Sequence, residues 1–191
     1  MISELLYCAL TAISSNRTQE SWIAGSSVLA QFIDRVPNDI DIHHVSSGAF
    51  TEAVDKDIKS LIEVGFSTVA HRQMETEFEV TFTRSGGTIA MNWVLEPKRP
   101  LAVVDDPLLG ARASFADIIA RKIEMYMKDR QLKHSDDLVS LLCQSAKIAS
   151  ELNLTKLTTD LRRHGPTEYS LANGPLSSNR EREVFRDGLK S

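Results

Sequence analysis

The run Asp39-Ile40-Asp41-Ile42-His43-His44-Val45 alternates with period two, and no other stretch constrains the chain as tightly. Side chains two apart on a strand share a face. The run therefore reads as a strand that turns Ile40, Ile42 and His44 into a core and leaves Asp39, Asp41 and His43 on the other side. Two carboxylates on one face repel unless something positive stands between them. A hard, oxygen-seeking cation, Mg²⁺ or Mn²⁺, is the usual solution. Eleven residues separate Asp39 from the upstream turn Gly25-Ser26-Ser27, which opens a short helical face made by Val28, Leu29, Phe32 and Ile33. Such a turn offers backbone N–H groups, hydroxyls and a positive helix end, a combination that holds phosphate. A phosphate loop beside paired carboxylates suits a nucleoside triphosphate bridged to metal, with an attacking hydroxyl displacing pyrophosphate in line.

The surrounding periodicities place this pair of segments in a mixed fold. Residues 2–14 carry apolar side chains at three-and-four spacing and read as a helix, and 21–24 as a short strand. A helix is expected over 51–64, ending at Gly65, followed by strands at 66–71, 78–83 and 88–95. The last two are joined by the hairpin signal Arg84-Ser85-Gly86-Gly87. Pro97, Pro100 and Pro107 punctuate a connector, after which helices are expected at 114–129, 135–150 and, more weakly, 155–164, with a loosely held tail at 173–191. The expected class is α/β (α+β): a small mixed sheet with helices on one face over 1–105, then a helical part over 106–191 that closes a cleft.

Composition excludes several classes. With 42% hydrophobic and 25% charged residues, the 191-residue chain is neither collagenous, wholly disordered nor a disulfide scaffold. No apolar run approaches the roughly 20 residues of a membrane span, and the first residues lack the basic region of a secretory signal. Cys8 and Cys143 sit far apart in apolar helical contexts, as expected of a reducing cytoplasm. Residues 1–113 hold 9 Lys+Arg against 15 Asp+Glu, whereas residues 114–191 hold 13 against 11. An acidic part bearing carboxylates beside a mildly basic part suits a metal site next to a polyanion.

With these residues in place, the chain resembles the polymerase-β-like nucleotidyltransferases. The wording AGSSVLAQF followed by RVPNDIDI is closest to the AbiEii-type nucleotidyltransferases, known as toxins of toxin–antitoxin systems, and Arg35 fits their pattern. The segment FADIIARKIEMYMKDRQLKHSDDLVSLL is similar to the family's helical motif, with Lys122 as the motif lysine and Asp137-Leu138 as its Asp-Leu pair. The resemblance implies that Asp39, Asp41 and Lys122 are catalytic, that Asp39 and Asp41 bind Mg²⁺, and that Gly25, Ser26, Ser27 and Lys122 hold the nucleotide. It further implies an NTP donor, an RNA or protein acceptor and a separately encoded antitoxin. The chain departs from the family where a third carboxylate is expected, since that strand position reads Asn92; Glu77 or Glu79 on the neighbouring strand could substitute. Asp136 and Ser140 stand where the family often has an arginine and a second aspartate.

Other readings compete. A carboxylate lost at Asn92 fits a nucleotide-binding or interaction module without catalysis, because an amide ligates a metal through its oxygen but is no base. Two aspartates with His43 would suit a metal-dependent hydrolase. Lys122 lies on an apolar stripe with Ile118 and Tyr126, where a lysine either snorkels outward or reaches a buried anion. Asp137 could simply serve the first turn of a helix capped by Ser135. Arg162, Arg163 and His164, with Arg180, Arg182 and Arg186, permit an RNA-binding surface.

Overall fold

The computed structural model describes residues 2–131 apart from 34, 97 and 130, together with 133, 134, 137 and 138. It divides into two compact units. The first runs to Gln31 and from Arg35 to Ser114. The described part of the second consists of Phe32, Ile33 and the described residues from Phe115 onward.

In the first unit, helix α1 (Glu4–Ser14) is capped by Ser3, whose hydroxyl accepts from the Leu6 N–H, and it buries Leu6, Ala9, Leu10 and Ile13. Strand β1 (Ser21–Ala24) leads into a 3₁₀ helix at Gly25–Leu29, then β2 (Asp39–His44). Helix α2 (Ser47–Glu63) starts four residues earlier than its periodicity suggests. The reason is a side-chain cap, since the Ser46 hydroxyl accepts from Ala49 N–H. Strands β3 (Ser67–Gln73), β4 (Glu77–Arg84) and β5 (Gly87–Leu95) follow as a meander. The β4–β5 hairpin closes through Ser85 and Gly86, both at positive φ (53° and 81°), as a two-residue primed turn requires.

The proline-punctuated connector is not a linker. It contains β6 (Val103–Asp106) and β7 (Gly110–Ala113), an antiparallel pair that joins the sheet. An expected boundary at residue 105 thus falls within this pair, and the first unit extends to Ser114. Asp106 shapes the turn by accepting from the Leu108 and Leu109 N–H groups with one oxygen and from Arg112 Nε with the other. Neither strand alternates in hydrophobicity, because β7 finds its place by parallel pairing with the distant β1.

The seven strands of the described residues form one mixed sheet in the order β3-β4-β5-β2-β1-β7-β6. The α/β class expected from the sequence is the one observed. One face, bearing Ile40, Ile42, His44, Met91, Trp93, Val80 and Phe82, is buried. Helix α2 covers it, with Phe50 edge-on to His44 and Asp57 accepting from Trp93 Nε1 at 2.8 Å. Asp57 lies on the buried stripe of α2 with Ala53 and Leu61 and is fully buried. It receives Arg17 Nη2 on both oxygens at 2.5 Å and Asn16 Nδ2 at 2.9 Å. Burial pushes the Asp57 carboxyl up from its ordinary range, while the Arg17 charge and three hydrogen-bond donors oppose that shift.

The second unit shows helix α3 (Phe115–Asp129), whose Ile118, Ile119, Lys122, Ile123 and Tyr126 are buried, with Phe32 edge-on to Phe115. The helices expected at 135–150, apart from Asp137 and Leu138, and at 155–164, like the tail at 173–191, lie outside the described residues. No helix among the described residues is long and apolar enough to cross a membrane.

His44 gives the first unit a measurable pH dependence. Its Nδ1 lies 3.3 Å from the Val94 carbonyl, and burial followed by the nearby Arg17 charge pushes its pKa down from 6.5 to about 4. The folded chain keeps His44 neutral where the unfolded chain protonates it. Stability from this group is therefore full above pH 6.5 and is lost as pH falls toward about 4, a span of about 3 kcal/mol. His44→Leu should shrink the fall in unfolding free energy between neutral pH and the lower end of that window by about 2–3 kcal/mol, measured by urea titration. An unchanged fall would remove His44 as its source.

Candidate functional site

The sheet face opposite α2 carries Asp39, Asp41 and His43 on β2, as the alternation requires, and their burial is intermediate. Parallel pairing of β2 with β5 sets Asp39 beside Ala90, Asp41 beside Asn92 and His43 beside Val94. On the far side of β5, Glu79 of β4 pairs with Asn92 and Glu77 pairs with Val94. One row across the sheet therefore reads Asp41, Asn92, Glu79. Strand spacing puts the Glu79 backbone about 10 Å from that of Asp41, two strands away. Asn92 is the immediate neighbour. Its Oδ1 is buried and has no hydrogen-bond partner among the described residues.

The glycine turn meets this strand directly. Gly25 has φ +63°, and a Cβ built there would overlap Asp41 Oδ2 at 1.9 Å. Only a residue without a side chain lets the backbone turn this close to the carboxylate. A left-handed residue followed by right-handed ones makes a concave array of N–H groups, a nest for anions. The helix that follows is a five-residue 3₁₀ segment, so anion binding at this turn falls on those N–H groups more than on a long helix's dipole. Ser27 is buried, and its hydroxyl donates to the Asp39 carbonyl at 2.6 Å, which ties the turn to β2. Ser26, also buried, accepts from Arg35 Nη2 at 2.6 Å. Arg35 thus stands at the turn.

The remaining candidates fall elsewhere. His43 Nδ1 lies 3.2 Å from Glu96 Oε2. Among the described residues no group of three His, Cys, Asp or Glu side chains is placed to hold a metal. In the second unit Lys122 Nζ lies 2.6 Å from Asp137 Oδ2, with both side chains almost fully buried. Lys122 does not snorkel, and the anion it reaches is a carboxylate of the same unit. Asp136, Ser140 and the basic cluster from Arg162 to His164 with Arg180, Arg182 and Arg186 lie outside the described residues.

The donor set fits a divalent cation: two carboxylates on one face and an unpartnered amide oxygen in the adjacent register position, all hard oxygen ligands. What the sequence could not supply was the row itself. Asn92 becomes a neighbour of Asp41 through a parallel pairing between strands about 50 residues apart, and no local pattern encodes that register.

The mixed sheet, with its Asp-x-Asp strand packed against a Gly-Ser turn, is a fold that solved structures share. JHP933 from Helicobacter pylori has this fold, with a TM-score of 0.70 and 13% identity over 100% of this chain and 92% of that one. A candidate nucleotidyltransferase from H. pylori is also similar, with a TM-score of 0.67 and 14% identity over 98% and 91% of the two chains. At such identities the likeness is one of fold. No protein-family model and no curated protein matches the sequence.

Two substitutions test the geometry. Gly25→Ala should cost about 1–2 kcal/mol from left-handed backbone strain alone, and more through displacement of Asp41. Denaturant midpoints equal to wild type would show that the turn yields without cost. Lys122→Met should destabilise by about 3–5 kcal/mol by removing the buried ion pair with Asp137, and Lys122→Met/Asp137→Leu should recover most of that loss. A single variant as stable as wild type would mean that the pair carries no weight.

Proposed function

We propose that this chain is a metal-dependent nucleotidyltransferase. The observation that carries this reading is the contact of the Gly25 turn with the Asp41 carboxylate, which would bring phosphate-binding N–H groups and cation-binding oxygens together. Gly25 and Ser26 would hold the phosphates of an NTP through backbone N–H groups, with Arg35 anchoring Ser26. Ser27 would serve by fixing the turn to β2. Asp39 and Asp41, with the Asn92 amide oxygen, would hold Mg²⁺ or Mn²⁺, which when bound offsets the charge of the phosphates. The reaction joins an acceptor hydroxyl oxygen to the α-phosphorus and breaks its bond to the bridging oxygen. Pyrophosphate leaves, and the hydroxyl proton passes to a base.

The H. pylori neighbour described as a candidate nucleotidyltransferase supports the reading at the level of fold. The finer assignment, an AbiEii-type toxin with an RNA or protein acceptor and a cognate antitoxin, rests on the motif residues Gly25, Ser26, Arg35, Asp39, Asp41, Lys122, Asp137 and Leu138. The Lys122–Asp137 ion pair favours a supporting role for Lys122 over direct contact with triphosphate. A second reading, a nucleotide-binding module without turnover, is favoured by one observation: the position beside Asp41 holds an amide, and the nearest carboxylate in that row is a strand further on.

Incubation with Mg²⁺, each labelled NTP and a pool of RNA or protein separates the two. Label should pass to a macromolecule with the wild type and fall to background with Asp39→Ala/Asp41→Ala. Nucleotide binding without transfer for any NTP would establish the binding module instead.

A further inference from the structure

We infer that the Asp39/Asp41 face holds one divalent cation, not two, and that Asn92 is the residue that sets this number. The inference rests on the nucleotidyl-transfer reading of the same face and deepens it.

The placement of carboxylate ligands decides the count. Two ions working on one phosphoryl group stand about 3.5–4 Å apart, where like charges repel strongly in a partly desolvated site. Such a pair needs carboxylate charge on both the nucleotide side and the acceptor side. Asp39 and Asp41 are the two carboxylates that β2 presents on this face. A triphosphate brings its own charge to the nucleotide side. In the row that contains Asp41, the adjoining position on β5 is a neutral amide.

No other carboxylate among the described residues takes that place. Glu79 is separated from Asp41 by the whole of β5, and Glu77 lies in the His43 row. Glu96 is engaged by His43 Nδ1 at 3.2 Å. The Asn92 side chain is nonetheless suited to ligation. Its Oδ1 is buried, makes no hydrogen bond among the described residues and belongs to the sheet face that presents both aspartates. A buried carbonyl-type oxygen without a donor is costly unless something positive meets it. A single hard cation satisfies Oδ1.

The test is a Mn²⁺ titration followed by electron paramagnetic resonance, on the full chain saturated with a non-hydrolysable α,β-methylene NTP. Wild type should bind one Mn²⁺ per protein–nucleotide complex, and Asn92→Asp, which restores a carboxylate, should bind two. Asn92→Ala should still bind one ion, held about tenfold more weakly, with a circular dichroism melt showing that it folds. Two ions in the wild type, or one in Asn92→Asp when its melt matches wild type, would overturn the inference. Two ions in the wild type together with label transfer would overturn it while leaving the transferase reading intact. No bound ion and no transfer would sink both.

Discussion

The buried pair of Arg17 and Asp57 is the interaction on which the first unit turns. Asp57 sits on the apolar stripe of α2, where an uncompensated carboxylate would be prohibitive. It is held by Arg17 just after α1, by Asn16, and by the indole N–H of Trp93 in the middle of β5. Three elements distant in sequence are therefore drawn together at one buried carboxylate. Removing either ion would leave the other buried and unpaired, at a cost of about 3–5 kcal/mol. By fixing α2 to the face that carries Trp93, the pair also leaves the opposite face to Asp39 and Asp41.

That division of faces makes a site possible. A strand with Ile40 and Ile42 packed under α2 has no freedom to rotate, so its aspartates project together. The Gly25 turn fits against Asp41 because it carries no side chain, and the Ser27 hydroxyl holds it there through the Asp39 carbonyl. The same rigidity lines up Asn92 and Glu79 behind Asp41. The chemistry open to this face is then a matter of which side chain fills which register position. In the second unit a second buried ion pair, Lys122 with Asp137, plays a comparable structural part.

Much of this was legible in the sequence. Strict alternation marked β2 and the face of its aspartates, three-and-four spacing marked α1 and α3, and Ser85-Gly86 marked the β4–β5 turn. Other features were not legible, for physical reasons. Helix α2 begins at Ser47 because of a single hydroxyl cap, a signal weaker than the glycine that follows it. Strands β6 and β7 have no periodicity of their own and exist because β1 offers β7 a parallel edge. Asp57 looks like one more acidic residue on a charged helix until Arg17 and Trp93 are seen around it.

The sequence by itself determined the α/β class, the Asp39/Asp41 pair on one strand face and the glycine turn that precedes it. These are local properties, carried by side-chain period and backbone conformation over a few residues. Only the tertiary structure decided that the turn touches Asp41, that Asn92 is its neighbour and Glu79 a strand further off, and that Lys122 pairs with Asp137. Each of those depends on strand register or on the meeting of distant segments, which long-range packing selects and no short window of residues contains.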